Sequence, residues 1–267
     1  MIGGSLLEII LAKHSGFCFG VKEAIKRTYE IIEQYKGTNK KIYTYGPLIH
    51  NKQVTDELEK MGVFSTESLD NIEVGSIVII RSHGVPKAFY EEANEKGIKV
   101  IDATCKFVRK VQETAKNSYE KGSKVVIVGD KNHPEVIGIN GWCDNAAIII
   151  ENIEDAERIN SDNICIVAQT TITNEMWEKI IEVFDRKQIN IEKNNTICSA
   201  TEARQLSCEQ TAKESDVMLI IGGRHSSNTQ KLYMISKKYC ENTYFIETKS
   251  DLPLNDLKKY NKIGIAA

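Results

Sequence analysis

The chain carries little net charge, and none of its apolar runs is long. Its 267 residues include 35 lysines and arginines and 37 aspartates and glutamates, for a formal net charge of -2. Because no basic stripe follows from this mixture, nucleic acid is not an expected partner. No segment approaches the roughly 20 apolar residues that span a bilayer, so no membrane partner is expected. The opening "MIGGSLLEIILAK" has no basic stretch before its apolar residues and predicts a first strand rather than a secretory leader.

Proline is scarce, with 4 residues in the whole chain, and no segment is rich in proline or in glycine and serine. Without such linkers, any domains should pack tightly against one another. The chain has 7 cysteines, an odd number, and no export signal. This usage predicts the reducing environment of the cytoplasm, where thiols stay reduced or bind metal. A hydrophobic content of 41% is enough for one large domain or for two or three small ones.

A pattern of strand, cysteine and amphipathic helix occurs three times along the chain. Cys18 lies in "EIILAKHSGFCFGVKEAIKR", Cys105 in "KVIDATCKFVRKVQ" and Cys198 in "NTICSATEARQ". Each helix is followed by a strand and then by a polar turn. The pattern therefore predicts an internal threefold repeat.

The second half of each cycle supports the same interpretation. Buried strands run into Ser82-His83 and into Gln169-Thr170, and the positions 18 to 82 and 105 to 169 both span 64 residues. Apolar strands that alternate with helices predict α/β units with mainly parallel sheets. We therefore expect three similar small α/β modules, at 1–104, 105–197 and 198–267, arranged around a pseudo-threefold axis.

Three equivalent loops would meet at such an axis and bring Cys18, Cys105 and Cys198 together. A thiolate at the start of a helix is favoured by the free N–H groups there, and neighbouring glycines allow a bulky partner to approach. The spacing matches no zinc finger or ferredoxin, and a single cysteine of this kind is more often an inert buried thiol. The shared position in three cycles favours a metal site. The other four cysteines lack this position and are assigned to packing or to the surface: Cys143, Cys165, Cys208 and Cys240.

Seven short motifs occur in a fixed order across more than two hundred residues: "GFCFGV", "LIHN", "SHGV", "DATC", "HPE", "QTT" and "SSN". In this order and at these separations they resemble the 4-hydroxy-3-methylbut-2-enyl diphosphate reductase family, the LytB-type iron-sulfur reductases. These enzymes catalyse the last step of the methylerythritol phosphate route to isoprenoids. Each motif is weak alone, but together they cover nearly the whole chain.

The resemblance implies one 4Fe-4S cluster at the centre of the three modules, bound by Cys18, Cys105 and Cys198. Three protein thiolates leave the fourth iron open to substrate, like the open position of a catalytic zinc. The implied reaction uses two electrons and two protons to convert the allylic alcohol to isopentenyl and dimethylallyl diphosphate. An external electron donor of the ferredoxin or flavodoxin type is expected as a partner, and the chain is expected to be a monomer or weak dimer.

Glu135 in "NHPEV" is the candidate proton donor. A carboxyl group enclosed with a cluster and a diphosphate would keep its proton near neutral pH, because desolvation and like charge disfavour its ionised form. From the residues alone, an ordinary helix-start glutamate after Pro134 is an equal alternative. The resemblance favours the catalytic role, and it implies that Thr170 relays a hydrogen bond to the substrate hydroxyl.

The diphosphate needs several hydrogen-bond donors. A lone histidine is most often an ordinary core or surface residue, but three at matching strand-end turns favour a common role. Serines at a helix start favour an anion through the free N–H groups there. The candidate substrate ligands, with Thr170 among them, are His50, His83, His133, Ser226, Ser227 and Asn228. His14 and His225 are assigned no role.

The sequence ends at Ala267, where the family continues into a Gly-Ala-Ser turn and a further helix. We expect a chain ending there to lack one diphosphate-binding serine and to be less stable and less active than a longer form. Two alternatives to the reductase are a zinc protein that uses the three cysteines with one histidine, and a redox-inert protein that binds diphosphates.

Overall fold

The computed structural model describes residues 7–267 and contains twelve strands in three four-stranded sheets. The strands are β1 (Glu8–Leu11), β2 (Ile42–Tyr45), β3 (Val63–Thr66), β4 (Ile77–Ile80), β5 (Lys99–Asp102), β6 (Lys124–Val128), β7 (Ile148–Ile150), β8 (Ile164–Ala168), β9 (Ile191–Asn194), β10 (Val217–Ile221), β11 (Thr243–Ile246) and β12 (Lys262–Ala266). The helices are α1 (Phe19–Tyr35), α2 (Lys52–Lys60), α3 (Lys87–Glu95), α4 (Lys106–Glu120), α5 (Pro134–Gly141), α6 (Ile153–Glu157), α7 (Asn174–Arg186), α8 (Ser199–Glu214), α9 (Ser227–Tyr239) and α10 (Leu254–Leu257).

These elements form two compact units. The continuous region comprises residues 19–197, and the discontinuous region comprises residues 7–18 together with 198–267. Within residues 7–267, every strand pair is parallel. Parallel strands need a crossover connection, usually a helix, which accounts for the alternation of strands and helices in the sequence.

The first sheet of the continuous region has the order β3-β2-β4-β5. Its central strand β4, "IVII", is buried at every position because helices cover both faces of the sheet. Ile77 and Ile79 pack in a cluster with residues of α1, whereas Val78 and Ile80 pack in a cluster with residues of α3. The strand therefore reads as a continuous apolar run rather than an alternating one.

The second sheet of the continuous region has the order β7-β6-β8-β9. Its strand β8, "ICIVA", is also fully buried. The two sheets of this region are linked near their helices: the indole Nε1–H of Trp142 donates to the carbonyl of Val85 at 3.1 Å. A Cβ at Gly141 would lie 2.3 Å from the Cβ of Pro86, so only glycine fits there.

The discontinuous region has one sheet, of order β1-β12-β10-β11, and this order corrects the predicted first module. Residues 8–11 were expected to belong with residues 42–102, but Ile9 pairs with Ile263 of β12. Helices α8 and α9 supply residues to the core of this sheet. The residues of an apolar strand do not indicate which sheet the strand joins. Assigning β1 to the sheet that follows it in the chain was therefore wrong.

The predicted fold class is confirmed, since three α/β modules with parallel sheets are present. The boundaries near residues 104 and 197 stay a prediction. In the part of the chain that the structure describes, no helix has both the length and the apolar character needed to cross a membrane.

Candidate functional site

Two turns at the carboxyl ends of β2 and β4 carry histidines, where ligands commonly bind in parallel sheets. His50 precedes α2, whose N-cap Asn51 accepts a hydrogen bond from the Val54 amide at 3.1 Å. His83 lies in a turn that closes when the Gly84 amide donates to the Arg81 carbonyl at 3.1 Å. Gly84 has a φ of +72°, a conformation that favours glycine.

A third histidine, from the second sheet, joins these two. His133 is the N-cap of α5. Its ring centroid lies 5.2 Å from that of His83 and 6.1 Å from that of His50, and the His50 and His83 centroids are 4.9 Å apart. One ring nitrogen from each histidine lies within 4.8 Å of the others. We call these three residues the histidine cluster.

Two residues of the histidine cluster, His83 and His133, are poorly suited to carrying positive charge. Burial, with the neighbouring histidines, puts the pKa of His83 well below its usual value. Burial lowers the pKa of His133 to about 4. At neutral pH these two rings are therefore neutral, each with one N–H donor and one acceptor nitrogen.

The hydrogen bond at His133 favours donation to an anion from this residue. Its Nδ1 accepts from the Glu135 amide at 3.2 Å, so the ring proton lies on Nε2. A nitrogen that carries a proton donates to an anion and has no lone pair for a metal. The Nδ1 atom of His83 is buried and has no hydrogen-bond partner among the described residues. The cluster therefore suits an anion with several oxygens.

Glu135 and Thr170 form a buried pair beside this cluster. The Thr170 amide donates to Glu135 Oε1 at 2.6 Å, and the Thr170 hydroxyl donates to Oε2 at 2.8 Å. The Glu135 side chain is 1% exposed, and burial raises its pKa to about 7 although both bonds from Thr170 oppose this shift. The carboxyl group can therefore hold or release a proton near neutral pH.

The loop that carries Thr170 is fixed by its neighbour Gln169. The Gln169 Oε1 atom accepts from the Asp130 amide at 3.1 Å, and its Nε2 group donates to the Thr171 hydroxyl at 2.9 Å. A Cβ at Gly129 would lie 2.7 Å from the Gln169 side chain. These contacts hold the loops after β6 and β8 together and so set the position of the pair.

The seven cysteines, all of them in the described part of the chain, form no disulfide and fall into two groups. Cys18, Cys105 and Cys198 are half-buried and each directly precedes a helix: Cys18 precedes α1, and the other two are the N-caps of α4 and α8. The other four are buried, and burial raises the pKa of each thiol, to about 12 for Cys143 and about 11 for Cys208. Reactivity and metal binding require the thiolate, so only the first group is suited to them.

The backbone beside the Cys105 thiol leaves space for the sulfur atom, and hydrogen bonds fix the loop before it. A Cβ at Gly20 would lie 2.5 Å from the Sγ atom of Cys105, so a larger residue would displace the thiol. Asp102 fixes the loop before Cys105: it accepts from the Thr104 amide at 2.8 Å and from the Tyr90 hydroxyl at 3.1 Å. The Cys105 amide donates to the Ser82 carbonyl at 2.9 Å, which ties this loop to the turn of His83.

The remaining predicted residues lie at the start of α9 in the discontinuous region. The Ser226 hydroxyl caps this helix by accepting from the Thr229 amide at 3.3 Å, and its own proton is still available for donation. Ser227 begins the helix. The Oδ1 atom of Asn228 is buried and has no hydrogen-bond partner among residues 7–267. A helix N-terminus with such side chains is a suitable place for phosphate oxygens.

The structure thus brings together, within the continuous region, the predicted His50, His83, His133, Glu135 and Thr170. Sequence reasoning missed Asp102 and Arg81. A charged residue directly after a fully buried strand, such as Arg81 after "IVII", is an available signal, because charged residues are seldom placed at a buried strand end without a reason.

Comparisons with known proteins give the same family along nearly the whole chain. The family model described as LytB protein matches residues 9–267. A protein of Alkaliphilus oremlandii named 4-hydroxy-3-methylbut-2-enyl diphosphate reductase is 51% identical over 263 residues, which cover 98% of this chain and 93% of the relative. The protein of the same name from Clostridioides difficile is 46% identical over 267 residues, with 98% and 93% covered.

Two solved structures are also similar to the chain. The E-1-hydroxy-2-methyl-but-2-enyl-4-diphosphate reductase of Plasmodium falciparum matches with a TM-score of 0.91 at 30% identity, covering 98% of this chain and 83% of that one. A structure of (E)-4-hydroxy-3-methyl-but-2-enyl diphosphate reductase, described as the terminal enzyme of the non-mevalonate pathway, matches with a TM-score of 0.69 at 42% identity, covering 98% and 93%. The order and spacing of the motifs, the three parallel sheets and these matches agree, and the chain belongs to the LytB protein family.

Proposed function

We propose that this chain reduces (E)-4-hydroxy-3-methylbut-2-enyl diphosphate to isopentenyl and dimethylallyl diphosphate. Its relatives are named for this substrate. One observation carries the proposal: a buried carboxyl group with a pKa of about 7 lies next to the histidine cluster, in which the neutral His83 and His133 can donate to a diphosphate. A proton donor and an anion site side by side are what this reaction requires.

The reaction breaks the C–O bond of an allylic alcohol and forms a C–H bond. It consumes two electrons and two protons, and the hydroxyl leaves as water. One proton goes to the departing oxygen and the other to a carbon of the allyl group, at either end, which gives the two products. The protein must therefore supply protons inside a site that excludes bulk water.

Glu135 is the proposed proton donor and Thr170 the proposed relay. When Glu135 is ionised, the Thr170 hydroxyl donates to it at 2.8 Å. When Glu135 is protonated, that bond reverses, and the Thr170 hydroxyl can donate onward to the substrate oxygen. The hydrogen bond from the Thr170 amide N–H to Glu135 Oε1 keeps the carboxyl group in place in both states.

The histidine cluster is the proposed binding site for the diphosphate, together with Ser226, Ser227 and Asn228 of the discontinuous region. The Nε2–H group of His133 is a donor, and its Nδ1 bond to the Glu135 amide fixes the ring. Because His133 and Glu135 are two residues apart on the same helix start, binding the diphosphate also fixes the substrate relative to the acid.

Cys18, Cys105 and Cys198 are the proposed ligands of one 4Fe-4S cluster. The donor set fits this group, because these three are half-buried cysteines directly before helices and because Gly20 leaves space at the Cys105 sulfur. A bound cluster would pass on the two electrons from the external donor and would act as a Lewis acid for the substrate hydroxyl. The chain's own residues bind the diphosphate, orient the allyl group and deliver the protons.

Several further expectations accompany this function. An external ferredoxin or flavodoxin is proposed as the electron source, and the cytoplasm as the location of the chain. A monomer or weak dimer is proposed, as is the division into modules near residues 104 and 197.

The test of the reaction uses protein purified without oxygen and reduced methyl viologen as the electron source. We expect the substrate to be consumed with one water and one C5 diphosphate formed per two electrons. Failure of iron- and sulfide-loaded protein to convert bound substrate would contradict the proposal.

The test of the cofactor compares Cys105→Ser with Cys165→Ala. We expect Cys105→Ser to lose most of its iron and sulfide, whereas Cys165→Ala keeps them, because Cys165 is fully buried in β8. Equal loss in both variants would contradict the ligand assignment. Zinc in place of iron in the parent protein would instead support the zinc alternative.

A further inference from the structure

Arg81 occupies the turn that carries His83. It directly follows the fully buried strand β4, and its carbonyl accepts the hydrogen bond from Gly84 that closes the turn at 3.1 Å. His83 is inside this turn. The backbone therefore holds Arg81 and His83 in a fixed relation.

The guanidinium group of Arg81 lies against the turn that leads to the second histidine of the cluster. A Cβ at Gly46 would lie 2.3 Å from Nη1 and 2.8 Å from Cζ of Arg81. Gly46 follows β2 with a φ of +66°, four residues before His50. The guanidinium group therefore lies directly against the backbone of Gly46, in the segment that leads to His50.

Among residues 7–267, Arg81 makes no direct salt bridge, and its buried Nε atom has no hydrogen-bond partner. Burial lowers its pKa, whereas the nearby Glu67 and Tyr45 raise it. Arginine nevertheless stays protonated in proteins. A partly desolvated charge with an unsatisfied buried donor is unfavourable, so this arrangement favours an anion that pairs with it directly.

The histidine cluster needs such a charge. The positive charge of Arg81 contributes to lowering the pKa of both His83 and His133, so the two are close enough to interact. Neutral histidines offer hydrogen bonds but do not offset the negative charge of a diphosphate. A fixed cation beside them does.

We propose that Arg81 supplies the fixed positive charge that draws a diphosphate to the histidine cluster and holds it there. This proposal rests on the function proposed above for the cluster. Arg81 acts as a positioning residue: its charge stabilises the bound anion while the histidines donate the hydrogen bonds. Its effect belongs to binding rather than to proton transfer.

The test measures the binding of inorganic diphosphate by titration calorimetry, at low and high salt, to the full chain with its cluster loaded. The variants are Arg81→Gln, which removes the charge, and Arg81→Lys, which keeps it. The control is Arg158→Gln, which removes an equal charge from a side chain that is 78% exposed and pairs with Asp155. Steady-state kinetics with reduced methyl viologen gives KM and kcat for each protein.

We expect Arg81→Gln to weaken diphosphate binding and to raise KM by about tenfold, with kcat within about twofold of the parent value. The salt dependence of binding should decrease in this variant, whereas Arg81→Lys should recover most of the affinity and the salt dependence. Arg158→Gln should match the parent protein.

Unchanged affinity and salt dependence in Arg81→Gln would overturn the proposal. So would an equal loss in Arg81→Gln and Arg81→Lys, since that result indicates a structural role for the side chain. If Arg81→Gln does not fold, Arg81→Lys with the parent's affinity and salt dependence would support the proposal, and a loss of both would overturn it. A parent protein that does not bind diphosphate at all would instead overturn the proposed function of the cluster.

Discussion

Two neighbouring parts of the continuous region differ in how their polar atoms are satisfied. At the Glu135–Thr170 pair, both carboxyl oxygens accept hydrogen bonds, at 2.6 and 2.8 Å. At the histidine cluster and Arg81, buried atoms such as His83 Nδ1 and Arg81 Nε have no partner among the described residues. Buried polar groups are normally paired, so the first part is complete by itself, whereas the second has donors left over for the ligand proposed above.

This difference separates two kinds of preparation for catalysis. A proton donor must keep its geometry and its pKa before the substrate arrives, so its hydrogen bonds come from the protein. An anion site must exchange the hydrogen bonds of water for those of the ligand, so its donors must be available. The following predictions test whether chemistry and binding are divided between the two parts in this way.

The largest expected effect is on turnover, at the Glu135–Thr170 pair. Glu135→Gln keeps the shape of the side chain but cannot deliver a proton, so kcat should fall by about 10²-fold or more while diphosphate affinity stays near the parent value. Steady-state kinetics and calorimetry measure the two quantities. The matched control is Glu154→Gln, which alters an exposed glutamate in the first turn of α6. Turnover near the parent rate in Glu135→Gln would show that Glu135 is only a helix-start residue.

The next effect is on diphosphate binding, at the histidine cluster. His83→Asn removes a half-buried ring of the cluster, and the affinity for inorganic diphosphate should fall by about tenfold to a hundredfold. The exposed His225 provides the control variant His225→Asn, which should bind as the parent does. If His83→Asn lowers kcat and leaves the affinity unchanged, the division between chemistry and binding is wrong.

A third effect is on stability and tests the buried carboxyl group directly. The pKa of Glu135 is raised from 4.5 to about 7, so the folded state holds this proton more tightly than the unfolded state does. Stability from this group is complete below about pH 4.5 and is lost as the pH rises through 7, a change of about 1 to 3 kcal/mol.

Glu135→Gln should remove that loss. The parent should therefore lose stability between pH 5 and pH 7.5 relative to the variant. Urea denaturation measures this as a rise, across that pH range, in the free energy of unfolding of the variant minus that of the parent. Taking the difference cancels the titration of the histidines, which both proteins share. A difference that does not change with pH would mean that Glu135 has an ordinary pKa.

The smallest effect is expected at the relay. Thr170→Val removes the hydroxyl and leaves the amide that donates to Oε1, so the carboxyl group stays in place while one bond of the proton path is lost. We expect kcat to fall by about tenfold. The neighbouring Thr171→Val is the comparison variant and should affect turnover less. If Thr170→Val has the same kcat as the parent, the Thr170 hydroxyl is not part of the proton path.

Sequence patterns were sufficient for some parts of this molecule and insufficient for others. The parallel α/β architecture follows from buried strands such as "ICIVA" that alternate with amphipathic helices, and it is confirmed. Cysteines before helices could be recognised because a thiol and a helix start are adjacent in the chain. The catalytic and binding roles assigned to Glu135, to the histidines and to the cysteines stay predictions.

Two features depend on contacts between distant residues and could not be predicted. The sheet that β1 joins is decided by its pairing with β12, and nothing in "EIIL" indicates it. The role proposed for Arg81 depends on its contact with Gly46 and on its unsatisfied Nε atom, both of which require the folded backbone. The N–H assignment of His133 likewise depends on the amide of Glu135.

The pairing of β1 with β12 also has a consequence for synthesis on the ribosome. Glu8 is synthesised long before its partner Lys262, whereas the strands of residues 19–197 find all their partners within that segment. The continuous region can therefore fold while translation proceeds, and β1 must wait with its edge unpaired. Unpaired strand edges of this kind are prone to aggregation, so slow translation of the residues between β1 and β12 would prolong the exposure of β1.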